Sequence, residues 1–259
     1  QSTAGNQPSH PNIAMVPIPV SKFKMGCDPA SAVQDARKKI VDGETQGECF
    51  KNAQPKHIVK FTHQFEMSTT EVTQALWQSV MNENPAYNKA CGDPCPIEQV
   101  SWLDAIQFVN RLSVAEGLPS CYIQEEKKVR WPEGYACRGY RLPTEAEWEA
   151  AARGIHERDE DDRGARRVQV YGWVKNNSDD VTHPVGTQKA DTLGLYDMRG
   201  NVSEWVWDRF GQYEDTNFKN PKGPQKGKRR VIRGGSAFDG HNANRRIHRQ
   251  HWLPEGRDV

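Results

Sequence analysis

A chain of 259 residues with 35 Lys+Arg against 34 Asp+Glu carries a formal charge of +1, so bulk electrostatics selects no partner. No run of eighteen apolar residues occurs, which excludes a transmembrane helix. With only 36% hydrophobic residues and a mean hydropathy of −0.86, the core must lean on its eight tryptophans. One α+β domain with much hydrogen-bonded loop is therefore expected.

Residues 1–12 are polar and read as a flexible N-terminal tail before a single domain over 13–259. Met15–Val20 and Phe23–Gly26 read as short strands that their prolines confine to an edge. Residues 28–54 read as a charged loop, and Ile58–Met67 alternates as a strand should. A first helix is expected with Thr69 or Thr70 as its cap and Val72, Ala75, Leu76, Ser79 and Val80 inward, ending near Asn82–Pro85. A second starts at Ser101, with Asp104 in its first turn, and stops at Gly117; Trp102, Ala105, Ile106, Val109 and Leu112 share its buried face. Cys121–Trp131 reads as a small two-stranded excursion. Thr144 and Glu147 are spaced as a capping box for a third helix, which carries Trp148, Ala151 and Ala152 inward and ends at Gly154. The dense mixed charges of 156–167 read as a solvated loop. Short strands are expected again at Val206–Asp208 and at Val231 onward.

The six cysteines fall as three neighbouring couples: Cys27 with Cys49, Cys91 with Cys95, and Cys121 with Cys137. Local disulfides are the preferred reading, although six cysteines allow 15 pairings. The Cys91–Cys95 spacing also suits half a zinc site, for which no second half is present. Disulfides imply an extracytoplasmic location (periplasm, cell surface or secreted), with a signal or lipid anchor removed.

The densest chemistry lies in Gly194–Trp205 (GLYDMRGNVSEW). Asp197 and Glu204 are hard oxygen donors flanking a tight Gly200-Asn201 turn, which can aim the carbonyls of Gly200 and Val202 between them. Calcium accepts six to eight such oxygens in loose geometry. The competing reading is that Asp197 caps a turn while Glu204 pairs with an arginine.

Seven segments in order resemble the formylglycine-generating-enzyme (sulfatase-modifying-factor) family: Phe23–Gly26 (FKMG), Thr70–Gln74 (TEVTQ), Pro96–Trp102 (PIEQVSW), Arg141–Glu149 (RLPTEAEWE), His183–Gly186 (HPVG), Gly194–Trp205 and Arg230–Ser236 (RVIRGGS). The resemblance implies a C-type-lectin-like fold with little regular secondary structure. It matches Asp197, Gly200, Val202 and Glu204 to a structural calcium site, and places a second, weaker candidate near Asn176, Asn177, Ser178 and Asp180. It also implies a closing Gly-Phe-Arg strand beyond Arg257–Asp258.

The same resemblance places two copper-binding, oxygen-activating cysteines where Asp239 and Asn244 stand. Thiolates suit Cu(I) and these residues do not, so neither copper nor formylglycine-generating activity is expected. What stands there instead is a polar segment. Asp239 and His241 are candidate acid–base residues. Ser236, Asn242, Asn244, Arg246, His248, His251 and Trp252 are candidates for binding a small polar or peptide ligand. Arg245 and Arg249 read as structural arginines that satisfy buried carbonyls. The basic stretch Lys219–Arg230 has only Phe218 beside it to stack a base, so it reads as a solvated loop or a dock for an acidic partner rather than a nucleic-acid site. The expected function is a calcium-stabilised binding or assembly subunit of a larger complex. The alternative is a periplasmic maturation enzyme acting through residues 236–252, as the family's pyoverdine-maturation relatives suggest.

Overall fold

The structure is a computed structural model that describes residues 13–19, 22–28, 40–41, 44–45, 49–154 and 165–257. The expected tail, most of the 28–54 loop and residues 155–164 lie outside the described residues.

Strand β1 (Met15–Ile18) pairs antiparallel with β6 (Phe65–Ser68) alone, which is the edge position that Pro17 requires. Strand β2 (Lys22–Met25) buries Phe23 and Met25 and exposes Lys22 and Lys24. It lies beside β5 (His57–Lys60), which pairs on its other side, in parallel, with β10 (Phe218–Lys219). Ile40–Val41 and Glu44–Thr45 form a two-stranded ladder, β3 and β4. The expected single strand over 58–67 is interrupted between β5 and β6. There the Thr62 amide donates to Asn220 Oδ1 at 2.9 Å and leaves the ladder.

Helix α1 (Gln74–Met81) is capped by Thr73, whose hydroxyl accepts from Leu76 N at 3.2 Å. Thr69 is not the cap: its amide donates to Ala14 O and prolongs the β1–β6 pairing. Asn82, at φ 61°, ends the helix in the left-handed region. Helix α2 (Trp102–Ala115) starts on a Ser101–Asp104 capping box and packs on α1 through Trp77 stacked on Phe108 at 4.8 Å. Strands β7 (Ile123–Glu125) and β8 (Lys128–Arg130) form the expected hairpin. Helix α3 (Glu145–Arg153) starts on the Thr144–Glu147 box. Helix α4 (Ala165–Tyr171) corrects the expectation of a loop through residue 167. From Gly172 to Ser203 the chain is loop, followed by β9 (Glu204–Arg209), β11 (Arg230–Arg233) and β12 (Gln250–Trp252) in one antiparallel sheet of order β12-β11-β9.

Two large apolar clusters result, beside a small third one of Cys27, Ala53 and Ile247. One gathers α1 and α2 around Trp77, Ile106 and Leu112; the other gathers α3 with Phe23, Val59, Val206 and Val231. Trp148, Ala151 and Ala152 of α3 are buried as expected, but so are Glu145, Glu147 and Glu149. Each of these carboxylates has a cation. Arg233 reaches Glu145 at 2.9 Å and Glu149 at 2.8 Å, Arg249 reaches Glu145 at 2.6 Å, and Arg153 reaches Glu149 at 2.7 Å. Arg141 grips Glu147 with two hydrogen bonds, of 2.7 and 2.8 Å. Burial alone would raise Glu147 and Glu149. Hydrogen bonds from His63 and Arg141 hold Glu147 down at about 2, and the charges of Arg153 and Arg233 hold Glu149 down at about 2. This network ties β11 and the segment before β12 to α3.

The three expected disulfides are formed, Cys27–Cys49, Cys91–Cys95 and Cys121–Cys137, with Cα–Cα distances of 5.6, 5.8 and 5.6 Å. The half zinc site is thereby displaced by a disulfide. Among the described residues, no helix is long and apolar enough to cross a membrane.

Candidate functional site

The 194–205 stretch turns inward because its backbone takes left-handed conformations at Asp197 (φ 53°), Gly200 (φ 80°) and Asn201 (φ 55°). Gly200 has no substitute: a Cβ there would lie 2.0 Å from Trp173 O. Its amide donates to Gly234 O at 3.0 Å, which sets the turn against the end of β11. Asn201, fully buried, accepts from the His183 amide and donates to Glu71 Oε2 at 2.7 Å.

Three carboxyl groups therefore lie around the turn, Asp197 buried and Glu71 and Glu204 half-buried. Glu71 accepts from Asn201 and from Val202 N (3.0 Å), Asp197 accepts from Gly186 N (2.7 Å), and Glu204 accepts from Trp148 Nε1 (3.1 Å). Burial pushes Asp197 up to about 6 and Glu204 up to about 7; burial, then the charges of Asp197 and Glu204, pushes Glu71 well above the usual carboxylate range. Among the described residues, no cation is a leading influence on any of the three. The arginine partner considered for Glu204 is thus replaced by the Trp148 indole. Asp197 Oδ1 is buried without a hydrogen-bond partner. Glu204 Oε1 and Val202 O face a common point, 3.7 and 3.8 Å from where a Cβ on Gly234 would stand. A cavity of about 980 Å³ reaches Glu71, Val202 and Glu204.

Glu204 Oε1 and Val202 O near one point, with an orphaned buried oxygen on neighbouring Asp197, are donors of the kind a hard cation takes. Among the described residues no cluster of three or more His, Cys, Asp or Glu side chains is arranged to hold a metal ion. The candidate donor set is accordingly two carboxylates plus main-chain carbonyls, with Asp197, Gly200, Val202 and Glu204 as the residues that would hold calcium. The weaker second candidate is differently employed. Asn177 Oδ1 accepts from Val174 N, and the Ser178 hydroxyl donates to Ala237 O.

A hydrogen bond from Ala237 N to Asn201 O at 2.9 Å joins the turn to the polar segment 236–252. In that segment the Ser236 hydroxyl donates to Asp239 Oδ2 at 2.8 Å. Asn244, fully buried, donates to the carbonyls of Asp239 and Gly240, both at 2.8 Å, and closes the loop. His241 and Asn242 are half-buried in it. The remaining candidates also make contacts outside this loop. His248 lies edge-on to Phe50 at 4.8 Å, and burial pushes it down to about 4. His251 contacts Phe210 at 4.0 Å and Arg229 at 3.0 Å. The Arg246 carbonyl accepts from Arg233, and Trp252 is exposed. Arg249 donates to Asn52 O and Gly211 O as well as to Glu145, as its structural reading requires.

The sulfatase-modifying factor enzyme 1-like domain family matches residues 1–258. The chain belongs to this family. It is 35% identical over 178 residues to the chaperone protein LppX of Paenibacillus barcinonensis, covering 56% of this chain and 62% of that protein. To the formylglycine-generating enzyme of Mus musculus it is 29% identical over 271 residues, covering 86% and 65%. The chain thus spans somewhat less than two thirds of the length of these two relatives. Among solved structures, Treponema denticola variable protein 1 superposes with a TM-score of 0.75 at 28% identity, over 94% of this chain and 91% of that one. PvdO from Pseudomonas aeruginosa superposes at 0.65 and 22% identity, over 94% and 89%, a likeness of fold. The fold is the C-type-lectin-like, α+β fold of the sulfatase-modifying-factor family, low in regular secondary structure.

Glu71 is the site residue that sequence reasoning missed. It stood in the TEVTQ motif, directly after the threonines weighed as caps, with no nearby residue to signal that it meets Asn201. The burial of the α3 glutamates was likewise hidden, because Arg233 and Arg249, which reach Glu145 and Glu149, come from segments far away in sequence.

Proposed function

We propose that this chain is an extracytoplasmic, calcium-stabilised binding or assembly subunit that does not generate formylglycine. The observation that carries the reading is the use made of Asp239 and Asn244. They stand where the family resemblance places the oxygen-activating cysteines, and here they serve the loop's own geometry: Asn244 is buried and bonded to two loop carbonyls, and Asp239 accepts from Ser236. Neither supplies a thiolate for Cu(I). Calcium at Asp197 and Glu204 holds the turn from which this loop hangs. The three disulfides support an oxidising compartment, and the chaperone named among the relatives supports a role exercised on another protein.

Native isolation under mild crosslinking tests this reading. A defined protein partner in fixed ratio is expected; an isolated monomer that turns over a small molecule would overturn it. One observation favours a second reading, a maturation enzyme: the Ser236 hydroxyl and the Asp239 carboxylate form a 2.8 Å pair in the same turn as His241. Asp239→Ala and His241→Ala variants that keep full biological activity would remove that reading.

A further inference from the structure

Strand register brings three lysines into one line. Lys22 of β2 lies opposite Lys60 of β5, and Lys60 lies opposite Lys219 of β10. Directly opposed residues share a sheet face, and neighbouring strands are about 4.8 Å apart. The opposite face is set by Phe23 and Val59, both buried, so all three ammonium groups stand on the solvent side, and all three residues are exposed. None has an ion-pair partner among the described residues. Like charges set directly opposite one another are unfavourable in a sheet, so this row costs stability and packing does not explain it.

The row continues beyond β10. Asn220, at φ 49°, donates to Thr62 Oγ1 at 2.7 Å and turns the chain back over the hairpin side of the molecule. Lys222 is then fixed 4.6 Å above the Trp131 ring and 5.0 Å above that of Tyr135. Toward the other end of the face, a polar cleft is lined by Lys24 and Lys56 but also by Asp28 and Asp215.

We infer that the row Lys22–Lys60–Lys219, extended by Lys222, is a docking strip for a narrow acidic protein segment laid across the strands. Charge complementarity names the partner's chemistry, and the shape of the patch decides its class. A broad anionic membrane surface would press on Asp28 and Asp215 as well, whereas a single segment can follow the lysines and avoid them. The large exposed apolar residues, Tyr87, Val114, Ile123, Val170, Val181, Phe238, Trp252 and Leu253, all lie outside these three strands, so recognition is electrostatic. The strip stands apart from the carboxylate turn and the 236–252 loop, and its failure would leave the reading of those sites untouched.

Fluorescence anisotropy with a labelled octaglutamate peptide tests it. The intact chain binds the peptide at low salt and releases it at about 0.3 M salt, where charges are screened within a few ångströms. The K22E/K60E/K219E variant binds about tenfold or more weakly, as the loss of three exposed pairs implies. A K89E/K128E/K175E variant, with the same change in net charge, keeps its affinity. K22Q/K60Q/K219Q serves in place of the first variant should that one melt early. No binding by the intact chain, equal losses in the two charge-reversed variants, or a preference for phosphatidylglycerol vesicles over the peptide would each overturn the inference.

Discussion

Glu71 Oε2 accepts a 2.7 Å hydrogen bond from Asn201 Nδ2 across 130 positions of sequence. That bond joins the entry to α1 with the turn that ends the long loop before β9. It brings a third carboxyl group beside Asp197 and Glu204, and desolvation raises all three above the usual carboxylate range.

Stability of the metal-free chain should fall as pH rises. Asp197 and Glu204 have folded values of about 6 and 7 against unfolded values near 4, so the folded state holds more protons in between. Their contribution is complete below about pH 4 and is lost as pH passes through about 7, at about 1.4 kcal/mol per pKa unit. Asp208, raised to about 8 by burial and by Glu145, acts in the same direction. Chemical denaturation in chelator from about pH 6.5 to pH 8 reads the slope, above the range in which His248, pushed down to about 4, acts in the opposite direction. Glu204→Gln should flatten its share of it, and a slope of opposite sign would contradict the carboxylate assignment.

Arg233→Met leaves Glu149 with Arg153 and Glu145 with Arg249, yet removes the one side chain that bridges both glutamates. Breaking a buried pair from one side costs about 3–5 kcal/mol. Urea unfolding should show a loss of that order, against less than about 0.5 kcal/mol for Arg130→Met, whose ion pair is exposed.

Gly200→Ala combines a left-handed backbone with a methyl group 2.0 Å from Trp173 O. The turn must shift, and both cation binding and the Ala237–Asn201 hydrogen bond should be lost with it. Gly92→Ala is the control, because its φ of 88° is similar and nothing lies within 4 Å of its Cβ. Melting temperatures should separate the two, with Gly92→Ala costing only the backbone strain, about 1–2 kcal/mol.

Cys121→Ala with Cys137→Ala opens a loop with a sequence separation of 16, for which chain entropy gives about 3 kcal/mol. The hairpin β7–β8 lies within that loop, so hydrogen exchange should rise first in residues 121–137.

What the sequence made legible was local. Ser101 and Thr144 announced their helices because a cap and its carboxylate lie three residues apart, and the cysteine couples were near enough to pair. The first helix cap slipped from Thr69 or Thr70 to Thr73 because Thr69 is held by Ala14, a contact that spacing does not carry. Asp197 and Glu204 were visible as donors flanking a glycine turn. Glu71 was not, and neither was the reach of Arg233 and Arg249 to Glu145 and Glu149, since those pairings depend on long-range packing. Within 236–252, His248 keeps contact with the loop through Ala243 and the charge of Asp239 while its ring also meets Phe50, and the His251 ring lies against Phe210; spacing carries neither ring contact.

The central claim is that the 194–205 turn is a cation-held support for the neighbouring loop. Calorimetric titration of calcium into chelator-stripped protein tests it most directly. One equivalent should bind and raise the melting temperature, and Asp197→Asn with Glu204→Gln should abolish both effects. The absence of binding heat, or a melting temperature unchanged by calcium and chelator alike, would contradict the account.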